Sequence, residues 1–316
     1  MMKIIVAVDG TRNSEAAVDC LIGMNLAPDT HIKLLTVLKA DETGIRLTEA
    51  EAGAHNLLTG AKKALDEMIL ELQRLIEGCV FSAEVVQGEP KSKIVEIAKK
   101  WNSDLIVMGS RGHKGMDLIL LGSVSQGILM QAPCPVLIVK ADESVKIESF
   151  RNGFKRIMFT ADNSVYSKAA FEWLKKLRFA NVEFRLITVI PPVTDSISGE
   201  EQARSVSDLL SKHDELRARA DMELQILANE LDDSFPGSSI VTEVAEGDPR
   251  EMILNSAETW SADLIVMGSH GRSGLTKLLL GSVSQAVAVH SHCAVAVVRG
   301  IAQKGRDEMK LTGRFA

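Results

Sequence analysis

The chain has 316 residues, of which 46% are hydrophobic and 25% charged; this length and composition suit two ordinary soluble domains and exclude disorder as the dominant state. A net charge of −6, a pI of about 5.7 and an aromatic content of 4% argue against a broad polyanion-binding surface and against a stacking platform for single-stranded nucleic acid. No apolar run approaches the ~18 residues of a membrane span, and the run at 4–8 meets Asp9 too early for a signal peptide, so a cytosolic protein without membrane or nucleic-acid partners is expected.

In chain order, IIVAV at 4–8 is apolar without alternation, the pattern of a parallel strand covered on both faces. A helix follows over Asn13–Gly23, with Asn13 or Ser14 available as its cap. HIKLLTVL at 31–38 is the second strand, and a long polar helical stretch covers about 48–77. VFSAEVV at 80–86 is the third strand, Pro90 opens a helix to Trp101, and DLIVMG at 104–109 is the fourth strand. A Gly-rich loop then leads to a helix over about 123–130 and to the fifth strand, PVLIV at 135–139. Further strands are predicted at 156–161, 182–190, 239–245, 263–268 and 293–298. Strand and helix alternate throughout, which predicts an α/β fold with right-handed crossovers and a mostly parallel sheet. Cys79, Cys134 and Cys293 stand at strand starts and read as small buried hydrophobes. With Cys20 they form no CxxC pair, so reduced thiols are expected.

The chain repeats itself. Residues 104–126, DLIVMGSRGHKGMDLILLGSVSQ, and residues 263–285, DLIVMGSHGRSGLTKLLLGSVSQ, share 16 of 23 positions at an offset of 159. Near the start the offset is 153, pairing Asp9 with Asp162. The expected division is a first domain at 1–140, a linker at 141–154, a second domain at 155–300 and a mobile tail at 301–316.

Ligands of an open α/β sheet bind beyond the carboxyl ends of the strands, where the strand order reverses. Two segments of each copy are expected to meet there. One is Asp9-Gly10-Thr11, repeated as Asp162-Asn163-Ser164; the other runs from Gly109 to Ser125, repeated from Gly268 to Ser284. Gly109 and Gly112, with Gly268 and Gly271, would turn at positive φ and admit a ligand close to the backbone. Gly122-Ser123 and Gly281-Ser282 open helices whose unpaired N–H groups form an anion cradle. Arg111, His113 and Lys114 in the first copy, and His270 and Arg272 in the second, could add charge-assisted bonds to phosphate. Asp9 and Asp162 could also simply cap the helices that follow them.

The flanking strings VDGT, LIVMGS and LLGSVS, with the Gly-x2-Gly-x9-Gly-Ser spacing, resemble the ATP-binding branch of the universal stress protein family, here as a tandem two-domain member spanning residues 3–140 and 155–299. The resemblance implies a Rossmann-like five-stranded parallel sheet of order 3-2-1-4-5 in each copy. It implies base and ribose contacts at Asp9 and Val37, and at Asp162 and Val189. Phosphate contacts would fall at Gly109, Gly112, Gly122, Ser123 and Val124, and at Gly268, Gly271, Gly281, Ser282 and Val283. A carboxylate beside a triphosphate repels it unless a cation intervenes, so Asp9 belongs at the base and ribose end or on Mg²⁺. ATP, or AMP or ADP, with Mg²⁺ is the expected cofactor.

The copies differ. Gly10 becomes Asn163, which tolerates the left-handed region less well, and Lys114 has no counterpart, so weaker binding is expected in the second half. The fifth strands would pair within the chain, hiding two apolar edges, and two chains would pair again as a homodimer.

An enzyme is the main rival, and no catalytic residue can be assigned to it. The nucleophile position of a phosphatase-like DGT signature holds Ala7 and, in the second copy, Thr160. Ser123-Val124-Ser125-Gln126-Gly127 lacks the first glycine of a nucleophile elbow. No Lys-Ser/Thr pair follows a Gly-rich loop as in Walker-type NTPases. Slow ATP hydrolysis, autophosphorylation and a nucleotide-free dimerisation scaffold remain open alternatives to a nucleotide-responsive stress factor. His290-Ser291-His292-Cys293 pairs with Gln131-Ala132-Pro133-Cys134 and reads as a helix-to-strand connection rather than a metal site.

Overall fold

A computed structural model of the chain describes residues 1–39, 50–112, 121–141, 147–193, 206–271 and 280–299. The expected tail at 301–316, together with His113, Lys114 and Arg272, lies outside the described residues.

The first half contains β1 (Lys3–Ala7), α1 (Arg12–Gly23), β2 (His31–Leu38), α2 (Ala50–Leu75), β3 (Val80–Gln87), α3 (Pro90–Trp101), β4 (Leu105–Gly109), α4 (Ser123–Gln131) and β5 (Val136–Val139). The second half repeats the series as β6 (Arg156–Thr160), α5 (Val165–Leu174), β7 (Glu183–Ile190), α6 (Val206–Ser234), β8 (Ser239–Glu246), α7 (Pro249–Thr259), β9 (Leu264–Gly268), α8 (Ser282–His290) and β10 (Ala294–Val298). Each half is a parallel sheet of order 3-2-1-4-5.

The two halves form one ten-stranded sheet because β5 and β10 pair antiparallel, Val136 with Val297, Leu137 with Ala296 and Ile138 with Val295. Leu137 and Ala296 are equivalent at the 159-residue offset, so a pseudo-two-fold axis passes through that pair. The seam satisfies two edges that would otherwise expose unpaired N–H and C=O groups beside apolar side chains.

Alternate strand residues serve the two faces. Ile4, Val6, Leu105 and Val107 join a core under α1 and α2 that continues beneath α5 and α6. Ile5, Ile106 and Met108 join another that includes Ile94 and Ile128 and continues to Ile253 and Val287. The outermost strands β3 and β8 are half-exposed.

Helix starts follow local chemistry. Thr11, not Asn13 or Ser14, caps α1, its side chain accepting from the Ser14 N–H, and Ser164 does the same for α5 with Ser167. Asn13 lies inside the helix, where its amide serves another purpose described below. Pro90 and Pro249 stand at the first turns of α3 and α7.

The segment between the halves differs from a plain linker. Ile147–Asn152 forms a 3₁₀ helix packed on α1, Gly153 lies against Gly23, and Phe154 is buried. Arg151 makes a forked ion pair with the buried Asp19, Nε to Oδ2 at 2.8 Å and Nη2 to Oδ1 at 3.1 Å, and Nη2 also donates to Glu71 at 2.9 Å. Cys20, Cys134 and Cys293 are buried, whereas Cys79 is half-buried.

Candidate functional site

The strand order of each half reverses between its first and fourth strands, at β1/β4 and at β6/β9. Asp9 follows β1 there. Its Oδ1 accepts from the Thr11 N–H at 3.1 Å and the Thr11 hydroxyl at 2.6 Å, and its own N–H donates to Ser14 Oγ at 3.3 Å. Asp162 repeats this with Oδ1 accepting from the Ser164 N–H at 3.0 Å and its N–H donating to Ser167 Oγ at 3.4 Å. Gly10 (φ +76°) and Asn163 (φ +60°) make the same left-handed turn. The substitution therefore does not abolish the turn; the Asn163 amide donates to Glu223 at 3.1 Å.

The loop after the fourth strand is braced against the fifth. Ser110 N–H donates to Val139 O at 2.9 Å, and Ser110 O accepts from Gly122 N–H at 2.8 Å. In the second half the corresponding bonds join Ser269 to Val298 and Gly281 to Ser269, both at 2.8 Å. These bonds set the N-terminus of α4 or α8 directly against the loop. Gly122 and Gly281 take extended caps and, having no side chain, make no side-chain cap hydrogen bond at the positive end of either helix. A Cβ on Gly122 would lie 3.3 Å from Arg111 Cα and Ser110 O; on Gly281 it would lie 3.1 Å from Ser269 O.

The other glycines do not act as expected. None of Gly109, Gly112, Gly268 and Gly271 has a positive φ. A Cβ on Gly109 would stand 2.6 Å from Asn13 Cβ, and one on Gly268 would stand 2.7 Å from the Tyr166 carbonyl carbon. These two glycines let α1 and α5 approach the strands. Gly112 and Gly271 instead face the aspartates, a Cβ there falling 2.6 Å from Asp9 Oδ2 and 2.9 Å from Asp162 Oδ2. Each exposed loop glycine and its strand-one carboxylate thus share one space.

Ser123 and Ser282 are exposed at the first helical positions, and Val124 and Val283 are half-buried beside them. The Ser125 and Ser284 hydroxyls are turned inward, donating to Gly109 O at 2.9 Å and Ser269 O at 2.8 Å. Val37 and Val189 lie near the carboxyl ends of β2 and β7, half-buried, and Thr36 and Thr188 tie those strands to Val8 O and Ala161 O, each at 2.8 Å.

The two loops are held differently. Asn13 Oδ1 accepts from Ser110 Oγ and from Ala141 N–H, each at 3.1 Å. Its counterpart Tyr166 instead packs on His270, with ring centroids 4.8 Å apart. His270 replaces Arg111 but is buried, with Nδ1 3.0 Å from Ser269 Oγ and a buried Nε2 that has no hydrogen-bond partner among the described residues. Burial, and then the nearby Arg299, push its pKa down, which favours the neutral ring. Arg111 is half-buried at the start of its loop.

Two cations escape motif reading. Lys140 follows β5 and Arg299 follows β10 at equivalent positions. Lys140 Nζ donates to Val289 O at 3.0 Å and Ser291 O at 2.6 Å, at the end of α8; Arg299 Nη2 donates to Leu129 O at 2.9 Å and also to Met130 O, at the end of α4. Each half caps the other's helix. Only the 159-residue offset, which aligns Lys140 with Arg299, hints at this in the sequence.

Among the described residues no group of three His, Cys, Asp or Glu side chains is arranged to hold a metal, and no helix is long and apolar enough to cross a membrane. His292 instead has Nε2 3.1 Å from Ala262 O.

A profile of the universal stress protein family matches residues 1–140 and 153–299. A universal stress protein of Methanocaldococcus jannaschii is 32% identical over 140 residues, covering 44% of this chain and 81% of that one. One from Mycolicibacterium smegmatis is 26% identical over 307 residues, covering 94% and 96%. The crystal structure of a universal stress protein from Archaeoglobus fulgidus superposes with a TM-score of 0.64 at 23% identity, covering 94% of this chain and 96% of that one. That likeness supports the fold.

Proposed function

The chain belongs to the universal stress protein family, twice over, and from that premise we propose that it is an ATP-binding, nucleotide-responsive stress factor of the cytosol. One duplicated relationship carries the reading: a helix N-terminus with a glycine cap braced against the loop at Ser110 or Ser269, and an exposed loop glycine two residues on that faces a strand-one aspartate. Main-chain N–H groups at the positive end of a helix suit phosphate oxygens and need no net positive charge. In the first half Gly112, Gly122, Ser123, Val124 and the Ser125 N–H would take the phosphates, with Arg111 adding charge. Gly109 would contribute by letting the loop leave the strand close to α1.

Asp9, with the Gly10-Thr11 turn and Val37, would take the base and ribose end or a Mg²⁺ ion, since its charge opposes phosphate. Asp162, Asn163, Val189, Gly268, Gly271, Gly281, Ser282, Val283 and Ser284 repeat the arrangement. Binding there would be weaker because His270 is buried, stacked and disposed to be neutral where the first half carries the guanidinium of Arg111. A bound nucleotide would supply the charge that orders the loop; hydrolysis, if any, would be slow, because no nucleophile or base is assigned.

Because β5 and β10 pair with each other, a homodimer of chains would use the outer strands or a helical face. Calorimetric titration with Mg-ATP tests the proposal. Wild type should bind and Gly122→Val should lose most of the first-half heat, with circular dichroism checking that the variant remains folded; equal heats in both proteins would refute the assignment.

A further inference from the structure

Every element of the candidate sites lies on one side of the seam except the two caps. α8 carries the second cradle at its N-terminus and Lys140 of the first half at its C-terminus; α4 carries the first cradle and Arg299 of the second half. Each helix has nine residues, about 13 Å from end to end, close enough for charges at its two ends to act on one dipole.

Each cap is also joined to the loop of its own half. Ser110 N–H bonds Val139 O, the residue before Lys140, and Ser269 N–H bonds Val298 O, the residue before Arg299. Asn13 Oδ1 ties Ser110 to Ala141, the residue after Lys140. Burial is the main force against charge on both Lys140 and His270, and across each loop Arg111 further opposes the charge on Lys140 and Arg299 that on His270.

From this geometry we infer that the two nucleotide sites are energetically coupled across the seam, with Lys140 and Arg299 as the coupling residues. The inference rests on the nucleotide reading above and specifies its regulation. Phosphate on the first loop would offset the Arg111 charge and relieve its repulsion of Lys140. The strengthened cap would then hold the α8 C-terminus and favour an anion at the α8 N-terminus. In the second half, where His270 is disposed to be neutral, the link is the Ser269 N–H bond to Val298 O, which joins the loop to Arg299 and so to the end of α4; filling either site favours filling the other. Reciprocity is a thermodynamic requirement, and couplings of this kind typically change affinity 5- to 150-fold.

The test uses the full chain and Mg-ATP. Gly271→Glu places a carboxylate in the exposed second loop beside Asp162, where it repels phosphate. Calorimetry on that variant measures first-half binding, and amide hydrogen exchange follows Val287–His290 in the last turn of α8. Nucleotide should slow exchange there about 5-fold when Lys140 is present, less than 2-fold in Lys140→Met, and again about 5-fold in Lys140→Arg. Should Lys140→Met fail to fold, the mirror pair Gly112→Glu and Arg299→Met, read at the end of α4, gives the same comparison. Measured binding with no change in exchange at the far helix overturns the coupling and leaves the nucleotide reading standing. Absence of binding in every chain, wild type included, removes both.

Discussion

The Asp9 carboxylate stands where a side chain on Gly112 would have to go, its Oδ2 only 2.6 Å from an ideal Cβ at that position. The contact is to the end of a side chain, so Gly112→Ala can be accommodated by moving the carboxylate. Gly109→Ala cannot be accommodated that way, because its Cβ meets Asn13 Cβ at 2.6 Å and the Asn13 carbonyl carbon at 2.7 Å. Gly112→Ala should weaken nucleotide binding at nearly unchanged stability, whereas Gly109→Ala should cost about 1–3 kcal/mol by overpacking. Urea denaturation and calorimetry on the two variants check this; equal loss of stability in both would contradict the division.

Asp9→Ala removes the acceptor for the Thr11 N–H and hydroxyl but none of the helix N–H groups. Discrimination between ATP and other nucleoside triphosphates should fall while affinity for tripolyphosphate persists. Competition binding reads both, and loss of tripolyphosphate binding would contradict the assigned role.

Burial lowers the Lys140 ammonium from 10.5 to about 8. The unfolded chain keeps that proton up to pH ~10.5 while the folded chain releases it near 8, so unfolding takes up a proton between these values and this group's contribution to stability rises with pH. The free energy of unfolding of wild type minus that of Lys140→Met should therefore increase between pH 7.5 and 9. Parallel profiles would show that Lys140 is not titrating there.

Arg151→Ala leaves the Asp19 carboxylate, only 7% exposed, without its forked partner. The cost should be about 3 kcal/mol, the low end for breaking a buried pair, because the arginine side chain is itself about a third exposed. The Glu71 contact, made by an exposed carboxylate, should add little. Chemical denaturation of Arg151→Ala and Glu71→Ala measures both.

Burial pushes the thiols of Cys20, Cys134 and Cys293 up to about 12 and raises half-buried Cys79 as well. Thiolate reactivity then depends on access, so iodoacetamide should label Cys79 first in the native protein. Peptide mapping after brief labelling would show it, and equal labelling of Cys134 or Cys293 would contradict the packing.

The alternation of apolar runs with helices made the α/β class legible, and the repeat at 104–126 and 263–285 revealed the duplication. Residues whose role is set by neighbours distant in sequence were not legible. Gly109 reads like a phosphate-loop glycine, yet its missing Cβ makes room for α1, a contact nearly a hundred residues away. The Ser125 hydroxyl, in the first turn of the helix that opens the expected cradle, closes on Gly109 O. His270 is an isolated histidine in a loop until Tyr166 and Arg299 fold around it, and Lys140 is one more lysine until the seam brings Val289 and Ser291 within reach. Residues 147–154 lack periodicity because their packing comes from Arg151 and two phenylalanines meeting α1 and the core, not from an amphipathic stripe.

Nucleotide content is the decisive measurement for this protein. Freshly purified protein is denatured and its supernatant chromatographed, and a second portion is stripped, reloaded with Mg-ATP, desalted and treated alike. The reloaded sample should release adenine nucleotide approaching one equivalent per chain or more. A supernatant empty of nucleotide in both samples would contradict the proposed binding.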